Sequence, residues 1–280
     1  MEQTLKKLRS ALNPIYGKGE TEAIIRIIFH HLKGWNLTEM LIHQQDELSD
    51  FIKGQVDSIL QRLLNHEPIQ YITGEARFHG MEMKIHPGVL IPRPETEELV
   101  DLIIDHYQGK DDLDVLDLCT GSGCIAISLA RNLPFSKVTA IDFSEEAIQT
   151  AKENSELLKT KIEIIKDDIF SWSPEKKFDI IVSNPPYVLD REALNMEKNV
   201  LNFEPHEALF VRDDKPLEFY DRIANIAKKS LKSQGMLYLE INPIESEALI
   251  ALFKEKGFNN ISLTKDSFGK NRFISASLKD

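Results

Sequence analysis

The sequence predicts an α/β protein in which a doubly wound, mostly parallel sheet follows a small helical domain. Residues 1 to about 73 carry apolar positions at helical spacing and no convincing alternating strand. Beyond about residue 95, helical segments alternate with short apolar runs, which is typical of a sheet covered by helices on both faces. A glycine-rich turn follows one of these runs, and such turns lie at the carboxyl ends of strands in nucleotide-binding sheets.

The elements follow from local patterns. Ser49 is suited to cap a helix, because its hydroxyl can accept a hydrogen bond from a first-turn N–H. A β-hairpin is expected next, pairing 82–85 with 89–91 around a turn at 86–88. A helix is expected over 95–107, and strands are expected near 114–118, 137–142, 161–165, 178–183, 235–241, 259–264 and 271–277. The predicted division is a helical domain at 1–73, a hairpin linker at 74–94 and a sheet domain at 95–280.

The glycine-rich turn predicts a nucleotide site. Glycines allow a sharp turn and a close approach of ligand to backbone, and Asp142 lies about 20 residues further on, where an acid can accept both ribose hydroxyls. The pattern Gly121-x-Gly123-x-x-Ala126 formally fits the fingerprint of proteins that bind NAD. Asp117 argues instead for S-adenosylmethionine, because a carboxylate there repels a pyrophosphate and attracts a cationic amino-acid end. The candidate cofactor residues in this part of the chain are Asp117, Cys119, Thr120, Gly121, Ser122, Gly123 and Asp142.

The run Ser183-Asn184-Pro185-Pro186-Tyr187 follows a predicted strand and is suited to hold a planar –NH2 group. The side-chain oxygen of Asn184 and the carbonyl of Pro185 are hydrogen-bond acceptors. The adjacent Pro185 and Pro186 restrict the backbone, so both acceptors can be held at one place. Tyr187 could stack on one face of the bound group. We therefore expect Asn184, Pro185 and Tyr187 to be catalytic, and these three together with Pro186 to bind substrate.

Composition excludes some classes of function. The 34 basic and 45 acidic residues give a net charge of −11, which disfavours a sequence-independent hold on nucleic-acid phosphates. The two cysteines, Cys119 and Cys124, lack metal-site spacing and are expected to be reduced thiols. No metal site and no membrane-spanning segment are expected. A cytoplasmic monomer without stable nucleic-acid binding is the prediction.

At family level the chain resembles the release-factor glutamine methyltransferases of the HemK/PrmC type. The resemblance rests on Asn184-Pro185-Pro186-Tyr187 and on the block Val89-Leu90-Ile91-Pro92-Arg93-Pro94-Glu95-Thr96-Glu97. Further matches are Pro68 to Gly74, Phe78-His79-Gly80, Glu204-Pro205 with Ala208-Leu209, and Asp266, Gly269 and Arg272. It implies a Rossmann-like fold that uses S-adenosylmethionine. It also implies N5-methylation of the glutamine in the Gly-Gly-Gln motif of peptide chain release factors, with the N-terminal helices recognising that protein substrate.

In such folds an acid after the third strand takes the adenine amino group. Asp168 is favoured for this contact, with the neighbouring Asp167 as the alternative, and Ile169 is expected to pack on the ring. Asn184 is expected to contact the cofactor as well as the substrate. Arg93 and Glu95 are expected at the rim of the pocket, and Glu204-Pro205 in a loop over it.

The chain departs from the family pattern in three places, at four residues. Cys119 stands where glycine is usual, which is tolerable if its φ is negative. Phe210-Val211 replace a glycine pair, and Asn242 also replaces a glycine.

Two other functions remain open on the sequence. A DNA adenine-N6 methyltransferase would use the same Asn-Pro-Pro-Tyr corner, although the net acidity and the lack of an evident target-recognition domain disfavour it. A nucleotide- or NAD-binding regulator without transfer activity belongs to a different class, and the intact acceptor corner argues against it.

Overall fold

A computed structural model describes residues 1–278 of the chain, which form two compact units. One unit comprises Met1–Gly74 and Glu197–Phe203, and the other comprises Glu75–Met196 and the described chain from Glu204 onward. Each unit has its own apolar core. In the described chain, no helix is both long enough and apolar enough to cross a membrane.

The first unit is helical. Its core contains Leu8 and Leu12 of the first helix, which is interrupted at Gly17 by a non-helical backbone with φ of 72°. Ser49 caps the third helix as predicted, since its Oγ accepts from the N–H of Ile52 at 3.3 Å. The helices of this unit are α1 Glu2–Lys33, α2 Leu37–Ile42, α3 Asp50–Leu64, α4 Ile69–Thr73 and, far along the chain, α8 Lys198–Phe203.

The hairpin differs from the one predicted. Strand β1 (Glu75–Phe78) pairs antiparallel with β2 (Met81–Lys84), and the turn lies at His79-Gly80. Both turn residues have positive φ, 48° and 73°, which makes a tight connection possible. Residues 89–91 form no strand, so the predicted pairing of 82–85 with 89–91 is wrong. The hairpin lies within the second unit.

A seven-stranded sheet is the centre of the second unit. Its strand order is β10-β11-β9-β6-β3-β4-β5, in which the last five strands are parallel. Strand β11 runs antiparallel to both of its neighbours, β9 and β10. The strands are β3 Asp114–Leu118, β4 Lys137–Asp142, β5 Glu163–Lys166, β6 Phe178–Ser183, β9 Leu231–Glu240, β10 Phe258–Lys265 and β11 Asn271–Leu278. A separate parallel pair joins β7 Val188–Leu189 to β8 Phe210–Val211. The expected doubly wound sheet is confirmed.

Helices cover both faces of this sheet. The helices are α5 Pro94–His106, α6 Cys124–Asn132, α7 Glu145–Leu157, α9 His206–Leu209, α10 Glu218–Ser230 and α11 Ser246–Glu255, with short 3-10 turns at Asp190–Asn195 and Pro243–Glu245. Apolar side chains of α5 and α6 pack in one core, and those of α10 and α11 pack in another. Alternate residues of β3 serve the two cores, with Val115 in the first and Leu116 in the second. The carboxyl ends of β3, β4, β5, β6 and β9 therefore share one edge.

Candidate active site

A cavity of about 330 Å³ opens at this shared edge of the sheet. Glycine-loop residues, residues that follow β4, β5 and β6, and the loop before α5 all contribute to its lining. The predicted site residues among them are Cys119, Thr120, Gly121, Ser122, Asp142, Asp168, Ile169, Asn184 and Pro186. Four other predicted residues, Asp117, Gly123, Pro185 and Tyr187, lie close by in sequence but do not line this cavity.

The glycine loop connects β3 to α6. Gly121 has a φ of 56°, and a Cβ built on it would meet no atom within 4 Å, so the loop is open to a ligand at this point. Gly123 has a φ of 80°, and a Cβ there would lie 3.2 Å from Cβ of Ala151 on α7. Gly121 thus permits close approach from the cavity, whereas Gly123 permits close packing of the loop on a helix.

Cys119 adopts a backbone conformation that favours glycine. Its φ is 61°, so the condition under which a cysteine is easily tolerated here, a negative φ, is not met. A β-carbon in this region contacts the following carbonyl oxygen, which costs roughly 1–2 kcal/mol for an ordinary residue. Burial, together with the charges of Asp142 and Asp117, raises the pKa of the Cys119 thiol well above its ordinary value. Cys119 is a strained, protonated thiol at the cavity wall.

Asp117 is fully buried at the end of β3. Its Oδ2 accepts a hydrogen bond from the Thr120 hydroxyl at 2.6 Å, whereas Oδ1 receives none from any residue in the described part of the chain. Burial raises the pKa of Asp117 to about 7, although the Thr120 hydroxyl and the nearby backbone N–H of Ala126 oppose the shift. A buried carboxylate oxygen without a donor is costly, and a cationic ligand group would compensate for it.

Asp142 and Asp168 follow β4 and β5. Both oxygens of Asp142 accept from backbone N–H groups, Oδ2 from Gly121 at 2.9 Å and Oδ1 from Ser144 at 3.0 Å. Burial raises the pKa of Asp142 despite these bonds. Asp168 is exposed and accepts from the Phe170 N–H at 2.9 Å, while the neighbouring Ile169 is buried with its side chain at the cavity. The two acids thus flank an apolar wall.

Asn184 is held by a chain of hydrogen bonds that crosses the site. Its Nδ2 donates to Oγ1 of Thr96 at 3.1 Å, and the Thr96 hydroxyl donates to Oε2 of Glu240 at 2.7 Å. Thr96 lies in the first turn of α5, and Glu240 is the last residue of β9. Burial raises the pKa of Glu240, and the hydrogen bonds from Thr96 and Tyr187 oppose that shift. Asn184 therefore enters the site with a defined orientation.

Tyr187 points into the protein rather than into the cavity. Its hydroxyl donates to Oε1 of Glu240 at 2.9 Å, and its ring packs against the core that contains α10 and α11. The carbonyl of Tyr187 accepts from Nδ2 of Asn242 at 3.1 Å. Asn242 has a φ of −69°, so the replacement of a glycine at this position carries no backbone strain, and its amide fixes the Asn-Pro-Pro-Tyr loop.

The block Pro92-Arg93-Pro94 is tied to the segment that follows α8. Glu204, whose side chain is 1% exposed, accepts from the Ile91 N–H at 3.2 Å and from Nη2 of Arg93 at 2.6 Å. Arg93 and Pro205 both line the cavity. Phe210, one of the departures from the family pattern, also lines it and stacks on His206 at 4.5 Å.

Sequence reasoning missed Thr96 and Glu240. Thr96 lies inside the block from Val89 to Glu97, where the charged side chains of Arg93 and Glu95 were the residues expected at the pocket. Glu240 had a usable signal, because a lone acid inside the apolar run from Leu237 to Ile241 is rarely buried unless it has partners.

The fold and the cavity are those of a Rossmann-like methyltransferase. Residues 82–203 match the family model of the methyltransferase small domain, and residues 3–74 match that of the PrmC N-terminal domain. A 16S rRNA methyltransferase from T. thermophilus, solved in complex with AdoMet and guanosine, matches with a TM-score of 0.54 at 22% identity. That match covers 73% of this chain and 50% of the other, and it bears on the fold alone.

Two curated relatives narrow the class. A release factor glutamine methyltransferase from Bacteroides thetaiotaomicron is 42% identical over 278 residues, which cover 99% of each chain. The release factor glutamine methyltransferase of Flavobacterium psychrophilum is 41% identical over 276 residues, 96% of each chain. This chain belongs to the release factor glutamine methyltransferase family.

Proposed function

We propose that this protein transfers a methyl group from S-adenosylmethionine to the side-chain amide nitrogen of the glutamine in the Gly-Gly-Gln motif of peptide chain release factors. The observation that carries the proposal is the fixed orientation of Asn184. Because Nδ2 donates to Thr96, the carbonyl oxygen Oδ1 is the part of the amide left for a ligand. A substrate –NH2 group is the complementary partner of such an acceptor.

The residues around the glycine loop fit the cofactor. Oδ1 of Asp117, buried without a donor from the described residues, suits the cationic amino-acid end, and the open space at Gly121 admits a ligand against the backbone. Asp142 lies at the end of β4, where it would accept the ribose hydroxyls. Asp168 and Ile169 would hold the adenine through a hydrogen bond and an apolar contact. Cys119, Thr120, Ser122 and Gly123 complete the loop.

When bound, S-adenosylmethionine supplies an electrophilic methyl group on a sulfonium centre. The lone pair of an amide nitrogen is delocalised into its carbonyl, so the protein must aim it at that methyl group. Oδ1 of Asn184 and the carbonyl of Pro185 would each accept one N–H of the substrate amide. Two acceptors fix the nitrogen in line and favour positive charge on it as the new bond forms.

Pro186 restricts the corner and lines the cavity. Tyr187 fixes the corner from behind through Glu240, and its predicted stacking on the substrate amide stays a prediction. The proton would leave to water after transfer, since the Asn-Pro-Pro-Tyr corner contains no general base.

We further propose that residues 1–73 recognise the release factor, with 74–94 as the linking hairpin and 95–280 as the catalytic domain. The helical unit exposes apolar side chains, such as Leu41 at 64% and Phe51 at 72%, that a protein partner could cover. The enzyme is proposed to act as a cytoplasmic monomer without a stable hold on nucleic acid. Deleting 1–73 should raise the KM for release factor while the Kd for S-adenosylmethionine is unchanged.

The deciding experiment is transfer of labelled methyl, with purified release factor and duplex DNA offered in parallel. We expect label on the Gly-Gly-Gln glutamine, located by mass spectrometry, and its loss in Asn184→Ala. Asn259→Ala is the matched control, because Asn259 lies exposed on β10 outside the cavity lining. Label on DNA alone would overturn the assignment of release factor as the substrate. No label on either would favour a binding protein, which cofactor titration would then examine.

A further inference from the structure

The chain of hydrogen bonds from Asn184 to Glu240 has a defined direction. In its carboxylate form Glu240 can only accept, and both of its oxygens are engaged, Oε2 by the Thr96 hydroxyl and Oε1 by the Tyr187 hydroxyl. Burial raises the pKa of Glu240, whereas these two hydrogen bonds and the charge of Arg272 oppose that shift and favour the carboxylate. Each hydroxyl therefore has its single hydrogen committed to the carboxylate.

This commitment decides which end of the Asn184 amide faces Thr96. With its hydrogen directed at Glu240, Oγ1 of Thr96 offers only a lone pair to Asn184. The –NH2 end of the amide must then face Thr96, at the 3.1 Å observed, and the carbonyl must face away. The two ends of an amide are nearly alike in shape, so hydrogen bonding and not packing selects between them.

We infer that Thr96 and Glu240 are positioning residues, which act through Asn184 by holding its carbonyl oxygen toward the substrate amide. The inference rests on the proposed function and adds two residues to it. Without the Thr96 oxygen, the Asn184 amide can turn over and present –NH2 to the –NH2 of the substrate. A turned amide offers a donor where an acceptor is needed, so it no longer orients the nitrogen of the substrate amide toward the methyl group.

The main test is a kinetic series at Thr96. Thr96→Val keeps the shape and removes the hydroxyl, and we expect kcat for release factor to fall about 100-fold, the order expected for a misplaced substrate. The Kd for S-adenosylmethionine should stay within about twofold. Thr96→Ser restores the hydroxyl and should recover kcat. Unchanged kcat in Thr96→Val, or no recovery in Thr96→Ser, would overturn the inference.

A matched control exists on β4. The Thr139 hydroxyl also donates to a carboxylate, Oε2 of Glu163 at 2.9 Å, and Thr139 does not line the cavity. Thr139→Val removes the same atom from a buried threonine, although the Glu163 side chain is 61% exposed whereas Glu240 is buried, and it should leave kcat unchanged. An equal fall of kcat in Thr139→Val would mean that the loss reflects stability rather than positioning, and would also overturn the inference.

Glu240 is tested by a double-mutant cycle. Glu240→Met replaces the carboxylate with an apolar chain of similar length, and alone it should lower kcat as Thr96→Val does. In the double variant the losses should not add, because both changes interrupt one chain of contacts. Additive losses would show that Glu240 acts independently of Thr96. If Glu240→Met does not fold, the Thr96 series decides by itself.

A spectroscopic measurement separates this inference from the proposed function. The side-chain amide resonances of Asn184 can be assigned in 15N-labelled protein by comparison with Asn184→Asp. In wild type they should show a slowly exchanging, hydrogen-bonded –NH2 that is lost in Thr96→Val and kept in Thr96→Ser. This result needs no substrate and holds even if release factor is not methylated. Identical Asn184 resonances in wild type and Thr96→Val would overturn the inference while methyl transfer to release factor stood.

Discussion

Cys119 places a side chain on a backbone that favours glycine, with a φ of 61° beside the cofactor cavity. The sequence marks the position as unusual, since glycine is common there. It does not reveal the sign of φ, which the sharp exit of the chain from β3 imposes. The conformational cost is therefore visible only in the structure.

At position 119 a glycine should give a more stable protein than an alanine, although alanine is the more stabilising of the two at most positions. Both Cys119→Gly and Cys119→Ala remove the thiol, but only alanine keeps the β-carbon that is strained at positive φ. We expect Cys119→Gly to be more stable than Cys119→Ala by about 1 kcal/mol. Urea unfolding of the two variants measures this difference. A more stable alanine variant would show that the loop carries no strain.

Asp117 predicts a pH dependence of stability in the protein without cofactor. Its pKa is raised by burial from an ordinary value of 3.8 to about 7, so the native state holds a proton that the unfolded state releases. This contribution to stability is fully present below about pH 4 and is lost as the pH rises through about 7, above which both states are deprotonated and the loss is complete. Asp117→Asn removes the titrating group. Wild type should therefore lose stability relative to Asp117→Asn between about pH 4 and 7.

Chemical unfolding at several pH values checks this expectation. Asp168→Asn is the control, because Asp168 is an exposed acid at the same edge of the sheet. Parallel stability profiles for wild type and Asp117→Asn would contradict the assigned burial effect.

At the scale of elements, the strands were predictable and their partners less so. The apolar runs predicted every strand of the main sheet to within a few residues, since each is bounded by turn residues or a change of pattern. The hairpin was wrong in its pairing, because alternation at 82–85 fits a partner on either side. Glu240 and Thr96 lie far apart in the chain, so only the fold reveals that they meet.

The glycine loop should tolerate alanine unequally. Gly121→Ala meets open space and should cost about 1 kcal/mol from its positive φ. Gly123→Ala has the same backbone problem and also brings a methyl group to 3.2 Å from Ala151, so its cost should be larger, about 2–3 kcal/mol. Thermal unfolding of both variants gives the order. Equal losses would mean that α7 moves aside freely.

The ion pair between Arg93 and Glu204 should contribute much more to the free energy of unfolding than an ion pair on the surface. Arg93→Ala leaves the Glu204 carboxylate buried without its cation, and we expect a loss of about 3 kcal/mol. The Arg212–Asp214 pair has a similar 2.7 Å separation, but its side chains are 67% and 61% exposed. Arg212→Ala should therefore cost less than about 1 kcal/mol. Equal effects on denaturant unfolding would rule out a structural role for the Arg93–Glu204 pair.

On the scale of the whole molecule, α8 groups with helices from the other end of the chain. Helix α8 lies within Glu197–Phe203, which groups with Met1–Gly74, although the chain before Glu197 and after Phe203 belongs to the sheet unit. This grouping is not predictable from the sequence, because a helix of six residues is too short for its apolar pattern to identify a partner. Contacts between distant segments decide it.

Hydrogen exchange can test that grouping. Deleting residues 1–74 removes the partners of α8, while the sheet keeps its own two cores. The amides of Val200 and Leu201 should lose protection in the deletion variant, and those of β3 should keep it. Unchanged protection of α8 would show that its helix depends on the sheet unit.

The contact between Thr96 and Glu240 has a consequence for how the protein matures. These residues are 144 positions apart in the chain. Glu240 belongs to β9, which is synthesised long after Thr96. Contacts of such long separation form slowly, because a large loop must close first. Partly folded chains would already contain the glycine loop and Asn184 while the Asn184 amide is still free to rotate. Competence for transfer should therefore appear only in the final stage of folding.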